Sequence, residues 1–244
     1  MSFQQVRHHF PKAVPLDKLV RVVSSVLREH HVYPKNTLLA VSTCVDELER
    51  RLERAFSAEW NPAFMFGGLA GYPFAGLVGM IACLDHVPEN GNLLLVYASH
   101  VGIDKDGTVG YVERRGIEHV ETCCGSAIAA YHNRKDEGEK NCDIEHFQQN
   151  YVNSVIHRNQ SSFDDDFEKD MVKLPKVVRK QIFRNIQRIL PQSDEIPIIL
   201  LGGININTEK HDYFQLSDFI IYRNGERHNL TKELEKSLIH SEAL

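Results

Sequence analysis

Two abutting runs constrain this chain more than any others: Thr37-Leu38-Leu39-Ala40-Val41-Ser42, then Cys44-Val45-Asp46-Glu47-Leu48-Glu49-Arg50-Arg51-Leu52-Glu53. The first is short and apolar with β-branched residues, and predicts a buried strand. Past Cys44 the pattern changes: Leu48, Leu52, Ala55 and Phe56 recur at helical spacing with charges between them. Cys44 therefore stands where a strand ends and a helix begins. In an open α/β sheet that rim is where ligands bind. A thiol there faces a cleft and lies near the positive end of a helix dipole, which favours the thiolate. Asp46 can cap the helix, and Arg50, four residues on, can pair with it on the same face. Buried cysteines are also ordinary packing residues, and most Asp–Arg pairs at this spacing contribute little. The rest of the chain has to decide which applies.

Composition narrows the field. The chain has 244 residues, 42% hydrophobic and 25% charged, which is ordinary globular usage. A chain of this length buries about three quarters of its unfolded surface, so residues 1–244 are read as one domain. The net charge of −5 offers no basic stripe for nucleic acid or an anionic membrane. No apolar run approaches the ~20 residues needed to span a bilayer, and Met1 to Pro11 lacks the apolar core of a leader. A soluble intracellular compartment, cytoplasmic or otherwise, is expected. Five cysteines, an odd number, do not suggest a disulfide framework; metal or redox chemistry is the better use of them.

In chain order, Val14 to His31 reads as an amphipathic helix, and residues 1–35 as a helical segment packed on the core or on a partner subunit. Phe64 to Gly79 carries five glycines among aromatic residues. It lacks the Gly-Lys-Ser/Thr of a phosphate loop, and glycines here let backbone approach a ligand or another backbone closely. Tyr72 and Phe74 could wall a small apolar cavity. Leu77 to His86 reads as a short helix holding Cys83 in the core. Leu93 to Ser99 is a strand that ends at His100. Asp104-Lys105-Asp106-Gly107 is a turn without the ligand register of a calcium loop. Cys124-Gly125 then opens an alanine-rich helix, and the glycine makes Cys124 preferable to its neighbour Cys123 as a ligand. Beyond it, residues 144–156, 172–190 and 230–239 read as helices, and 197–206 and 213–222 as strands.

Cys44, His100 and Cys124 thus stand at strand ends or helix starts. Two thiolates and an imidazole make a three-ligand zinc site, with a fourth position left for water, as in catalytic rather than structural zinc. Zinc lowers the pKa of bound water to about 7. Cys142, His86, His30 and His31 are weaker rivals, lying in segments read as loop or helix.

These residues resemble a known family. Cys44-x-Asp46, a strand-end histidine and a Cys-Gly helix start are similar to β-class carbonic anhydrases. The fuller pattern resembles the limiting-CO2-inducible protein B/C family, also called θ-class. It comprises Cys44-x-Asp46-Glu47 with Arg50, Gly67-Gly68-Leu69-Ala70-Gly71-Tyr72-Pro73-Phe74-Ala75-Gly76, His86-Val87-Pro88, Leu94-Leu95-Val96-Tyr97, His100-Val101-Gly102, Gly107-Thr108-Val109-Gly110 and Cys124-Gly125. The chain departs from the β-class pattern in two places. His100 and Cys124 are separated by an inserted hairpin, and Leu48 stands where the β-class arginine would. Arg50 is the expected substitute, with Arg51, Arg114 and Arg115 as alternatives.

The resemblance implies a mostly parallel central β-sheet flanked by helices, a homodimer, and zinc held by Cys44, His100 and Cys124. It further implies that Asp46 orients the zinc-bound water and that an arginine holds Asp46. CO2 and bicarbonate are the expected substrates, with Phe66, Gly71, Tyr72 and Phe74 lining the site. Two alternatives stand beside the enzyme: an inactive zinc-holding protein that binds inorganic carbon or serves assembly, and another zinc hydrolase. The second lacks the deaminase pattern of His-x-Glu with Pro-Cys-x-x-Cys.

Overall fold

The apolar runs pair into one sheet because each is buried on both faces and needs a cover on each side. The computed structural model describes residues 3–136, 143–191 and 195–240. Its elements, in order, are α1 (Phe3–His9), β1 (Ala13–Pro15), α2 (Leu16–Glu29), β2 (Thr37–Ser42), α3 (Arg50–Trp60), β3 (Phe64–Met65), α4 (Gly76–Leu84), β4 (Asn92–Gly102), β5 (Tyr111–Glu113), β6 (Val120–Thr122), α5 (Gly125–His132), α6 (Phe147–Arg158), α7 (Phe167–Ile189), β7 (Ile198–Asn207), β8 (Asp212–Arg223), β9 (Glu226–Asn229) and α8 (Thr231–His240).

Strands β3, β2, β4 and β7 run parallel in that order, and β8 closes the sheet antiparallel to β7. β1 and β9 both pair with the outer edge of β8. Alternation along the strands divides the core in two. Leu39, Val41, Leu94, Val96, Ile199 and Leu201 pack with α2, α3 and α8. Ala40, Leu93, Leu95, Ile198 and Leu200 pack with α4 to α7. A bulge at Ser217 shifts the register of β8 opposite Gly202 and Gly203.

The observed bounds differ from the sequence expectation at instructive points. Val14 and Pro15 join β1, so the N-terminal helix starts at Leu16 and lays Leu19, Val23 and Leu27 against the sheet. α7 begins five residues earlier than expected, because Asp166 caps it by accepting from the Lys169 amide at 3.3 Å. Cys44 is not followed directly by an α-helix. Glu47–Glu49 form a 3-10 turn, capped by Asp46 accepting from the Leu48 amide at 3.1 Å, before α3 begins.

Tyr97 shows how tightly the sheet and its cover are fitted. It lies across Gly202, its register partner on β7, and donates to Asp218 on β8 at 2.7 Å. Arg179 of α7 donates to the same oxygen at 2.6 Å. A Cβ on Gly202 would overlap the Tyr97 ring. Gly202→Ala is therefore expected to overpack this point and lower stability by about 1–3 kcal/mol. Chemical denaturation showing the parent midpoint for that variant would refute this account.

Candidate metal centre

Parallel pairing sets the carboxyl ends of β2, β4 and β7 on one rim, where the site is built. Cys44 follows β2 and His100 lies near the end of β4. The hairpin inserted after β4 returns the chain to the same place. The Gly102 amide donates to the Cys123 carbonyl at 3.1 Å, and the Cys123 amide to the Gly110 carbonyl at 2.9 Å. This backbone knot holds Cys124 at the start of α5, where its carbonyl accepts the first helical bond from Ile128.

One sulfur or nitrogen atom each from Cys44, His100 and Cys124 lie within 4.8 Å of one another. The two sulfurs are 3.9 Å apart. Tetrahedral zinc with Zn–S bonds of about 2.3 Å would separate two thiolates by about 3.8 Å, so the spacing fits the ion. His100 presents the right atom. Its Nδ1 donates to the Asn207 amide oxygen at 2.9 Å, while Nε2 is buried without a partner. A buried lone pair with no donor is costly unless a ligand takes it.

The charges point the same way. The hydrogen bond from Cys124 holds the Cys44 thiol well below its usual pKa, and the same bond and burial push Cys124 up. Burial alone would lower the His100 pKa, but the sulfurs of Cys123, Cys124 and Cys44 and the Glu49 carboxylate overcome it and raise it well above the usual value. A site that pulls a proton onto a fully buried imidazole is one that favours a cation.

A second grouping, Asp46, His100 and Cys123, also lies close together. It fits a metal less well. Both Asp46 oxygens are engaged by a guanidinium, Cys123 is a fully buried thiol whose pKa burial raises, and its sulfur approaches Nδ1, the nitrogen that Asn207 already engages, at 3.3 Å.

Residues 13–223 match the family described as limiting CO2-inducible proteins B/C, beta carbonic anhydrases. The chain belongs to that family. The limiting CO2-inducible family also supplies solved relatives. The crystal structure of PtLCIB4, a homolog of the limiting CO2-inducible protein LCIB, is 36% identical with a TM-score of 0.86, covering 93% of this chain and 99% of that one. LCIB itself is 17% identical with a TM-score of 0.76, covering 94% and 98%, and supports the shared α/β fold. No curated protein matches the chain.

Within this family frame the arginine expectation needs correcting. Arg50 does not pair with Asp46: it donates to the Cys44 carbonyl at 3.0 Å and pairs with Glu53 at 2.6 Å. The 3-10 turn after Asp46 removes the helical spacing that would have aligned them. Arg114, at the tip of the β5–β6 ribbon, grips Asp46 instead, with Nη1 to Oδ1 at 2.8 Å and Nη2 to Oδ2 at 2.9 Å, and also pairs with Glu47. Burial would raise the Asp46 pKa, but the Arg114 bonds and the His100 charge hold it below the usual carboxylate range. Arg51 bonds Asp212, and Arg115 is exposed.

The expected wall residues are also placed differently. A small cavity beside His100 and Cys124 is lined by Ala70, Ile128, Met171, Leu174 and Val178, without Phe66, Gly71, Tyr72 or Phe74. Phe66 meets Phe64 at a 45° tilt, and Tyr72 and Phe74 join an aromatic cluster with Tyr151. Gly71 lies under β4, where a Cβ would overlap the Ala98 carbonyl. Among the rivals, His30 bonds Glu233, His86 bonds the Ala82 carbonyl, His31 is exposed, and Cys142 lies outside the described residues.

Sequence reasoning missed Glu49, Asn205 and Asn207 altogether. All three are fully buried beside His100. The signal was two asparagines in the apolar run of β7, since buried amides need partners.

The two cysteines can be told apart by experiment. Cys124→Ser is expected to lose bound zinc in elemental analysis of protein purified without chelator, whereas Cys123→Ser keeps it. The reverse pattern would transfer the site to the Asp46–His100–Cys123 grouping.

Proposed function

We propose that this chain is a zinc-dependent carbonic anhydrase, interconverting CO2 and water with bicarbonate and a proton. The observation that carries the reading is a Cys44–His100–Cys124 donor set with Asp46 locked by a bidentate arginine beside it. Those three residues would hold the ion. When bound, zinc acidifies water to a pKa of about 7 and so supplies a nucleophile at neutral pH.

The chain's own groups do the rest. Asp46, kept ionised by Arg114, accepts a hydrogen bond from the attacking water and turns its lone pair toward CO2. The bidentate grip has a second effect: charge-assisted bonds to both oxygens would compete with a bound ion for the carboxylate and keep Asp46 from becoming a further ligand. CO2 offers little for polar recognition, and the apolar lining from Ala70, Ile128 and Leu174 suits it.

A second reading, a zinc-holding protein without turnover, is favoured by the burial of the site. Cys44, His100 and Cys124 are each no more than 4% exposed in the single chain. Stopped-flow CO2 hydration on zinc-replete protein separates the two. The enzyme reading expects turnover well above the uncatalysed rate. Arg114→Ala should reduce it about 100-fold or more, the scale of a lost positioned group, and keep its zinc. Arg50→Ala should stay far closer to the parent. Parent protein with full zinc and no activity would leave the second reading.

The homodimer is also proposed. Leu77, Val78 and Ile81 project from α4 and are more than half exposed, with Met65 on the edge strand β3 also in solvent. A patch of this kind favours a partner. Light scattering should give twice the 27.9 kDa chain mass. A Val78→Asp protein that remains dimeric would place the interface elsewhere.

A further inference from the structure

Behind His100 lies a buried polar core that the proposed chemistry does not touch. In the β4–β7 register Asn205 sits opposite His100, and Asn207 opposite Gly102. Both asparagines face the layer that carries the 3-10 turn, and both are fully buried with Glu49. Asn207 donates through Nδ2 to Asp212 at 3.2 Å and to Glu49 at 3.4 Å. Asn205 donates to the same two carboxylates, at 2.7 Å to Glu49 and 3.4 Å to Asp212. Arg51 fixes the outer end, bonding Asp212 at 3.1 Å and the carbonyls of Thr208 and Glu209 at 2.8 Å each.

The geometry decides the orientation of one amide. Carboxylate oxygens accept hydrogen bonds, so the NH2 of Asn207 must face Glu49 and Asp212. Turned the other way, its oxygen would meet theirs. The amide oxygen is therefore left facing His100 Nδ1, at 2.9 Å. An oxygen only accepts, so Nδ1 carries the hydrogen, and in the neutral imidazole that a metal would bind Nε2 keeps its lone pair. The Cys123 thiol reaches the same amide oxygen at 3.5 Å, so that oxygen has two donors for its two lone pairs.

We propose that Asn207 is a positioning residue for the metal site: its amide oxygen fixes the tautomer and ring angle of His100, and Glu49 with Asp212 fixes the amide. The proposal rests on the metal-site reading above. Groups that orient a ligating histidine strengthen metal binding by about 10- to 100-fold.

The test uses chelator-treated full-length protein, titrated with Co2+ against a competing chelator and read by its d–d and thiolate charge-transfer bands. Asn207→Leu, similar in volume but without an acceptor, should bind Co2+ about 10- to 100-fold more weakly and shift the d–d bands, whereas Glu49→Gln, whose side-chain oxygen can still accept from the Asn207 amide, should bind within about threefold of the parent. Glu49→Leu, which loosens the amide, should lose about tenfold. Circular dichroism and melting of the metal-free forms check folding. If Asn207→Leu does not fold, Asn207→Ser, with an oxygen too short to reach Nδ1, takes its place with the same expected loss. Equal affinity in the parent and the acceptor-free variant would overturn the proposal. So would a Glu49→Leu protein that binds Co2+ as tightly as Glu49→Gln, because the hydrogen bond from the amide to its partner would then have no part in holding His100. A parent that takes up no Co2+ sinks the metal site itself, and a parent that binds while Asn207→Leu binds equally sinks only the role of Asn207.

Discussion

The register between β4 and β7 is the constraint on which the rest of the structure depends. It sets His100 opposite Asn205 and Gly102 opposite Asn207 along ten paired residues. Side chains alternate across a sheet, so a slip of one residue would turn His100 to the opposite layer and part it from both asparagines. The register is strongly specified because both faces of these strands are buried: Leu94 and Val96 face one helical layer, Leu93 and Leu95 the other. A packing interaction spread over many apolar side chains thus fixes the position of one imidazole. That imidazole shares its rim with Cys44 because β2 pairs with β4 in parallel and ends at Ser42, opposite Tyr97, so that Cys44 lies just past the strand end.

The second dependence is electrostatic. Three cysteine thiols, a histidine and the carboxylates of Asp46 and Glu49 are gathered where water scarcely reaches. Such a group is unfavourable unless positive charge or hydrogen bonds compensate it. Each part of the surroundings supplies some. Arg114 neutralises Asp46 from the ribbon, Asn205 and Asn207 donate to Glu49, and Arg51 answers Asp212 at the edge. Arg50 stays close without joining Asp46, bracing the Cys44 carbonyl from α3. Against that background Cys44, His100 and Cys124 each bring a donor atom within 4.8 Å of the others.

The hairpin between β4 and α5 follows from the same logic. It looks like an interruption that separates His100 from Cys124. Folded, it ties its two ends together through the bonds among Gly102, Gly110 and Cys123, and its β5–β6 ribbon carries Arg114 back over Asp46. One insertion therefore supplies both the second cysteine's position and the arginine that holds the carboxylate.

The sequence by itself determined the central strands, the helices around them and the three candidate ligands, because each left a local mark. Buried strands are short apolar runs, helices repeat at their own period, and Cys44, His100 and Cys124 stand where one pattern gives way to another. The family likeness rested on the same stretches. Only the tertiary structure decided which arginine meets Asp46. Arg50 is near in sequence, but the 3-10 turn at Glu47–Glu49 breaks the spacing, and Arg114 arrives from a distant ribbon by a path that no periodicity records. The same holds for Asn205 and Asn207. Their types were visible in the strand, but their partners come from a turn and from the start of β8, joined by sheet pairing. Periodicity encodes which face a residue occupies; long-range pairing decides what waits on that face.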